Sequence, residues 1–294
     1  MVPFKVNIFA MVVYVLESMA IITQSSFTVA VLCREWVHSK KLSPVEMILV
    51  SLSICHFCQQ WASVVYNFCS FAKPNYIFWN LALIWEFTNI LTFWLTSLLA
   101  LFYCVKISSF THQIFCWLRW RILKLVPWLI LGTLILACVT VIPSAIINHN
   151  WMELLSVDYS PRNSTFSERF KFFFQSFSKP HKIIGLGIPF LIFLVSVILL
   201  VASLVQHWGQ MQRYNISNRN SGMKAQATAL RSLAIFFIFF TSYFLTVLIS
   251  FLVPIFEKRA WFWVCEAVIY GIVCIHSTSL MLSNPTLKKA PEAA

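Results

Sequence analysis

The sequence predicts an all-α membrane protein, a single bundle of seven transmembrane helices, on three observations. Only 11% of its 294 residues are charged, against 59% hydrophobic and 16% aromatic, whereas a typical soluble domain carries about 25% charged residues. Mean hydropathy is +0.77. The apolar residues gather into windows of about 20 with few charges or none, the length a helix needs to cross a hydrocarbon core about 30 Å thick, and seven such windows can be read. Helices rather than barrel strands do the crossing, because a helix satisfies its backbone hydrogen bonds within one continuous apolar run.

The first window, Val6 to Leu32, contains Glu17 but is otherwise nearly all apolar. MVPFK, ahead of it, has one basic residue, and no small-residue cleavage site follows, so the segment reads as a retained signal anchor. The second window, Val45 to Phe68, the third, Asn80 to Val105, and the sixth, Leu230 to Val253, are the clearest. The fourth runs from Leu125 to Ile147, the fifth from Ile183 to Gln206 and the seventh from Trp261 to Leu282. One domain, residues 1–294, contains them all.

Lys and Arg set the expected orientation. Thirteen of the 22 fall on the side of the tail, among them Arg34, Lys40, Lys41, Lys106, Arg119, Arg213 and Lys288; the other nine include Lys5, Lys73 and five between Asn148 and Lys182. The excess places the C-terminus in the cytosol and the N-terminus outside, as in a multi-pass protein of the plasma membrane. The net charge of +12 does not point to nucleic acid, because the basic residues are dispersed over short segments with no continuous stripe; they read as flanking groups at the surface of a lipid bilayer. The outer loop carries Asn163-Ser-Thr, an acceptor for N-linked glycan if it faces the lumen. Nine cysteines are present, none of them in that loop, so no structural outer disulfide is expected.

Three carboxylates, Glu17, Glu86 and Glu266, fall inside predicted spans, where an ionisable group costs about 2.5 to 3.5 kcal/mol even on lenient scales and so signals function. Glu86 lies six residues past Asn80, about 9 Å down at 1.5 Å per residue, and Glu266 lies five residues past Trp261: the two acids reach a similar depth. At about 100° per residue, Trp85, Glu86, Asn89 and Phe93 share one arc of about 100°. Such a face suits a bundle interior or a watered cavity rather than lipid. Phe240 and Phe244 on the sixth span, Trp261, Phe262 and Trp263 opening the seventh, and His181 at the mouth of the fifth complete an aromatic-walled pocket with a few acceptors, the usual composition of a small-molecule site.

Each element also has a plainer reading. Trp263 serves equally as an interfacial anchor, Glu17 as a structural intrahelical partner, Asn89 as interhelical glue, His181 as an exposed loop residue, and the phenylalanines as core. The coincidence of Glu86 and Asn89 on one face with Glu266 at matching depth is what favours the pocket. The sequence calls for no metal and no cofactor: there is one aspartate, Asp158, and no two histidines stand four apart in a span. Nor is there a glycine elbow for a nucleophilic serine among six glycines, so enzyme activity is not expected. An odd number of spans without a repeat argues against a secondary transporter, leaving a heptahelical sensor, with a small-solute or proton-coupled transporter using Glu86 and Glu266 as the alternative.

The runs MILVSLSICHFC (Met47 to Cys58), LLALFYCVKISSFTHQIFCWLRWRI (Leu98 to Ile122), ALRSLAIFFIFFTSYFL (Ala229 to Leu245) and HSTSLMLSNPTLKK (His276 to Lys289) resemble the type 2 bitter taste receptors over nearly the whole chain. The resemblance implies a seven-helix G protein-coupled receptor that signals through a gustducin-type heterotrimeric G protein. CREWVHSKKL, WEF (Trp85 to Phe87) and PRNST resemble members that respond to β-glucopyranosides such as salicin, which implies a small β-glucoside-like bitter agonist, weakly bound. By the same resemblance, Trp85, Glu86, Asn89, Phe93, Phe240, Phe244 and Glu266 occupy ligand-binding positions, and Tyr103, Lys106, Phe110, His276 and Ser277 occupy switch and G protein-facing positions. Two residues depart from the pattern. His56 stands where most members have arginine and Gln24 where most have asparagine, which puts resting stability and basal activity in question.

Overall fold

A computed structural model describes residues 4–69, 76–108, 113–156, 164–213, 234–249, 262–284 and 286–287, nearly all of them helical. The elements are α1 (Phe4–Ser39), α2 (Pro44–Cys69), α3 (Tyr76–Ile107), α4 (Gln113–Ser156), α5 (Ser164–Arg213), α6 (Ala234–Ile249) and α7 (Phe262–Ser283). All except α6, over its described length, are long and apolar enough to span a membrane. α4 and α5 run well beyond their apolar windows, so that much of the segment from Asn148 to Lys182 expected as loop is helix. The physical reason is that hydropathy marks only the part of a helix that needs lipid, whereas hydrogen bonding along the backbone propagates past it, in α5 through Pro180 itself.

Local chemistry sets the ends nearest the basic loops. α1 stops at Lys40, whose φ of 54° lets its N–H return to the Trp36 carbonyl at 2.8 Å, the left-handed stop used at many helix C-termini. α2 then starts with a reciprocal cap: the Ser43 N–H donates to Glu46 Oε2 at 2.8 Å and the Glu46 N–H to Ser43 Oγ at 3.3 Å, with Pro44 in the first helical position, where its missing N–H costs nothing. Past α7, Asn284 Oδ1 accepts the Thr286 N–H at 2.8 Å. That turn seats Leu287 against Leu32 and Leu49.

α3 is the axis of the bundle. Of the residues in its most apolar stretch 72% are buried, against 17% in α4, because α3 packs on α2, α4 and α5 at once. α1 closes on α2 and α7. An aromatic core, in which Phe193 of α5 meets Phe240 edge to face with 4.4 Å between ring centres, ties α6 to α3 and α5. The large apolar side chains left on the outer faces, such as Phe9, Leu16, Trp128 and Leu191, are those a bilayer would cover.

Candidate functional site

The first third of α3, the last turns of α2 and the first turns of α7 enclose a cavity of about 290 Å³, lined by Trp85, Glu86, Glu266, Asn67, Ser63, Tyr66, Phe262 and, from α5, Lys182. The two acids placed at matching depth by their spacing therefore share one space. Glu86 is 8% exposed, and its burial is compensated on both oxygens: Ser144 Oγ of α4 donates to Oε1 at 2.7 Å and Lys182 Nζ to Oε2 at 2.9 Å. A buried carboxylate without such partners would be strongly destabilising. Glu266 is held differently. Asn67 Nδ2 donates to its Oε2 at 3.1 Å and also to the Tyr14 hydroxyl at 3.1 Å, and that hydroxyl meets Ser63 Oγ at 2.9 Å, so a polar chain runs from α1 through α2 to α7.

Trp85 joins the same wall to α7, its indole N–H donating to the Tyr270 hydroxyl at 2.7 Å. Trp263 packs on Tyr14 and Phe68, with ring centres 5.6 and 5.8 Å away. Further along α3 the character changes. Asn89, 1% exposed, accepts the Tyr243 hydroxyl of α6 in a short hydrogen bond and the Gln59 amide of α2 at 3.4 Å. Phe93, fully buried, stacks on Tyr243 at 5.1 Å and meets Phe240 at 5.1 Å and Phe244 at 6.2 Å. Phe244 lies flat on Phe190 of α5 at 3.9 Å. These rings form a packed floor.

Of the eight candidate ligand residues, Trp85, Glu86 and Glu266 line the cavity, while Asn89, Phe93, Phe240 and Phe244 meet in the floor beyond it. His181 Nε2 lies 2.9 Å from the Thr140 carbonyl and fastens α5 to α4, one residue from Lys182. Lys182, Ser144 and Asn67 escaped the sequence reading. Lys182 was counted there only as a flanking cation, although an acid within a span calls for a partner at its own depth; Ser144 and Asn67 carry no signal until helix rotation is known.

At the other end of the bundle Ser277 Oγ lies 3.0 Å from His56 Nδ1, Gln24 Nε2 donates to Thr278 Oγ1 at 2.9 Å, and the His276 ring stacks on Phe236 at 5.2 Å. Tyr103 is half-buried, and Lys106 Nζ sits 5.5 Å from the centre of the Phe102 ring. Phe110 and Asn163 lie outside the described residues. Among the described residues no cluster of three His, Cys, Asp or Glu side chains offers a metal site.

A bundle of this kind, with a polar cavity at one end and basic loops at the other, suits a receptor, and comparison with known proteins decides the matter. The family described as Taste receptor protein (TAS2R) matches residues 1–293. The chain belongs to the taste receptor family. It is 60% identical to the taste receptor type 2 member 16 of Rattus norvegicus, over 99% of this chain and 96% of that one. To the member of the same name from Homo sapiens it is 54% identical, over 98% of each. Taste receptor type 2 member 134 of Rattus norvegicus is 36% identical over 98% of this chain and 87% of its own length. As a bitter taste receptor the chain is a multi-pass membrane protein of the G protein-coupled class, a signalling receptor for small molecules and not an enzyme. The transporter alternative is set aside by the same finding.

Proposed function

We propose that this taste receptor binds β-glucopyranosides such as salicin in the cavity between Glu86 and Glu266 and transmits their presence to a gustducin-type heterotrimer. In this reading it sits in the plasma membrane with its N-terminus outside, an orientation supported by the excess of basic residues in the loops on the tail side. The observation that carries it is that two carboxylates and an indole, from α3 and α7, line one space of about 290 Å³. That volume lies at the lower end of small-molecule sites. A pyranoside offers C–H faces to aromatic rings and hydroxyl pairs to carboxylates, each buried hydrogen bond netting roughly 0.5 to 3 kcal/mol. Glu86 and Glu266 accept the sugar hydroxyls and Trp85 covers a ring face. Asn89, Phe93, Phe240 and Phe244 form the floor against which the agonist rests, and His181 steadies the mouth.

The agonist acts by favouring the active arrangement of helices over the resting one. Asn89 joins α2, α3 and α6 through Gln59 and Tyr243, so a ligand seated on this floor has direct leverage on α6. Tyr103, Lys106, Phe110, His276 and Ser277 form the switch and the G protein-facing end. Calcium release in cells carrying the receptor and a gustducin-type chimera tests the reading. Salicin raises calcium, and Glu86→Gln and Glu266→Gln each weaken the response by tenfold or more in half-maximal concentration, about 1.4 kcal/mol, at unchanged surface level. Asn89→Ala lowers the maximal response. A receptor at the cell surface that ignores salicin while answering other bitter compounds refutes the glucoside assignment.

A further inference from the structure

Among the described residues three charged side chains line the cavity, Glu86, Glu266 and Lys182, and their arrangement is asymmetric. Glu86 has an ammonium group on one oxygen at 2.9 Å and a hydroxyl on the other at 2.7 Å. Ser144 fixes the carboxylate but leaves its charge uncancelled; Lys182 does both. Glu266 is held by the neutral amide of Asn67, and no ion pair to it occurs among the described residues. One acid is thus neutralised in place and the other is not.

We propose that Lys182 is the charge-selectivity determinant of this cavity, a positioning residue that acts through Glu86 so that the α3 side of the site takes neutral hydroxyl-rich ligands and turns away organic cations. The proposal deepens the assignment of the cavity as the agonist site and rests on it for the ligand class. A carboxylate pinned between a hydroxyl and an ammonium still has lone pairs for a sugar hydroxyl, since each oxygen can accept more than one donor. An incoming ammonium group meets a different situation: it feels Glu86 and Lys182 at nearly the same distance, and the two fields cancel. Lys182 is placed for this by α5, whose His181 is anchored on the Thr140 carbonyl of α4. Its side chain, 27% exposed beside the 10% of its partner, lies on the open side of the pair, where an approaching ligand encounters it first. Without it the cavity would present two uncompensated acids and select protonated amines.

The field inside the cavity can be read without an agonist. Ala82 lines the same space, so in Ala82→Cys receptors on intact cells the rates of modification by a cationic and an anionic methanethiosulfonate of similar size, each corrected for the receptor with Ala82 intact, give a ratio that reports the local charge. In Lys182→Met the cation-to-anion ratio rises about tenfold. It returns when Glu86→Gln is added and stays at the native value in Lys182→Arg. Glu86→Gln alone, which removes the acid paired with Lys182, moves the ratio the other way and supplies the test should Lys182→Met fail to reach the surface. A ratio unmoved by either substitution overturns the proposal. A purely structural role for Lys182 would slow both reagents alike and is excluded by a ratio that moves. The salicin response of the native receptor in the same cells decides the glucoside assignment separately, because no agonist enters the ratio.

Discussion

The indole N–H of Trp85 donates to the hydroxyl of Tyr270 at 2.7 Å, a bond that closes α3 onto α7 across the wall of the cavity shared by Glu86 and Glu266. Tyr270 is 1% exposed, whereas Trp85 lines the cavity, so the two partners are not equally dependent on each other. Trp85→Phe removes the indole donor from a buried hydroxyl that also meets Ser63, and costs about 1 kcal/mol. Tyr270→Phe leaves an N–H that water in the cavity can satisfy, and costs less. Thermal unfolding of the detergent-solubilised receptor should rank Trp85→Phe below Tyr270→Phe; the reverse order would show that this bond does not hold the wall.

Asn67 donates to the Tyr14 hydroxyl, to Ser63 and to Glu266. Asn67→Leu removes a donor from a half-buried carboxylate that Ser63 also meets, and is expected to cost about 1 to 3 kcal/mol. Adding Glu266→Met should restore much of the loss. A double-mutant cycle in unfolding temperature that proves additive would mean the two side chains are uncoupled.

Two glycines at helix contacts distinguish a soft neighbour from a stiff one. A Cβ on Gly185 of α5 would lie 2.6 Å from Thr140 Cγ2, and one on Gly271 of α7 would lie 2.9 Å from Glu17 Oε1. The Glu17 carboxylate sits at the end of a flexible chain and can swing aside. Thr140 is stiff at χ1 and its hydroxyl is engaged with the Leu136 carbonyl at 2.7 Å. Gly185→Ala should therefore destabilise by about 1 to 3 kcal/mol and Gly271→Ala by less. Thr140→Ser, which removes the obstructing methyl and keeps the hydroxyl, should relieve Gly185→Ala; a pair no more stable than Gly185→Ala alone would rule out this contact as the cause.

His56, 5% exposed, has Ser277 as its hydrogen-bond partner. Among the described residues no carboxylate lines either of the small spaces beside it. Arginine, the residue that the family resemblance implies there, is permanently charged. His56→Arg should lower surface expression and unfolding temperature, with a cost of roughly 3 kcal/mol for a buried charge without a counter-ion, whereas His56→Gln, neutral and able to bond Ser277, should be tolerated. Normal expression and stability of the arginine variant would show that the layer adapts, through water or a shift of α7.

The helical membrane architecture was legible in the chain because lipid imposes a local rule: about 20 apolar residues, hydrogen-bonded among themselves, wherever the chain crosses. The shared depth of Glu86 and Glu266 was legible too, since rise per residue is fixed at 1.5 Å, and the two acids do line one cavity. The face of α3 was only partly legible. Periodicity groups Trp85, Glu86, Asn89 and Phe93, but Asn89 and Phe93 pack against Tyr243 of α6, and a helical wheel cannot say which neighbour stands opposite.

Helix by helix, then, the sequence determined which segments enter the membrane and how deep their polar groups lie, because both depend on residues adjacent in the chain. Only the tertiary structure decided that Glu86 is neutralised by a lysine 96 residues away while Glu266 is held by an amide. Those pairings depend on the rotation of each helix about its own axis, and that angle is fixed by packing against neighbours rather than by anything encoded within one span.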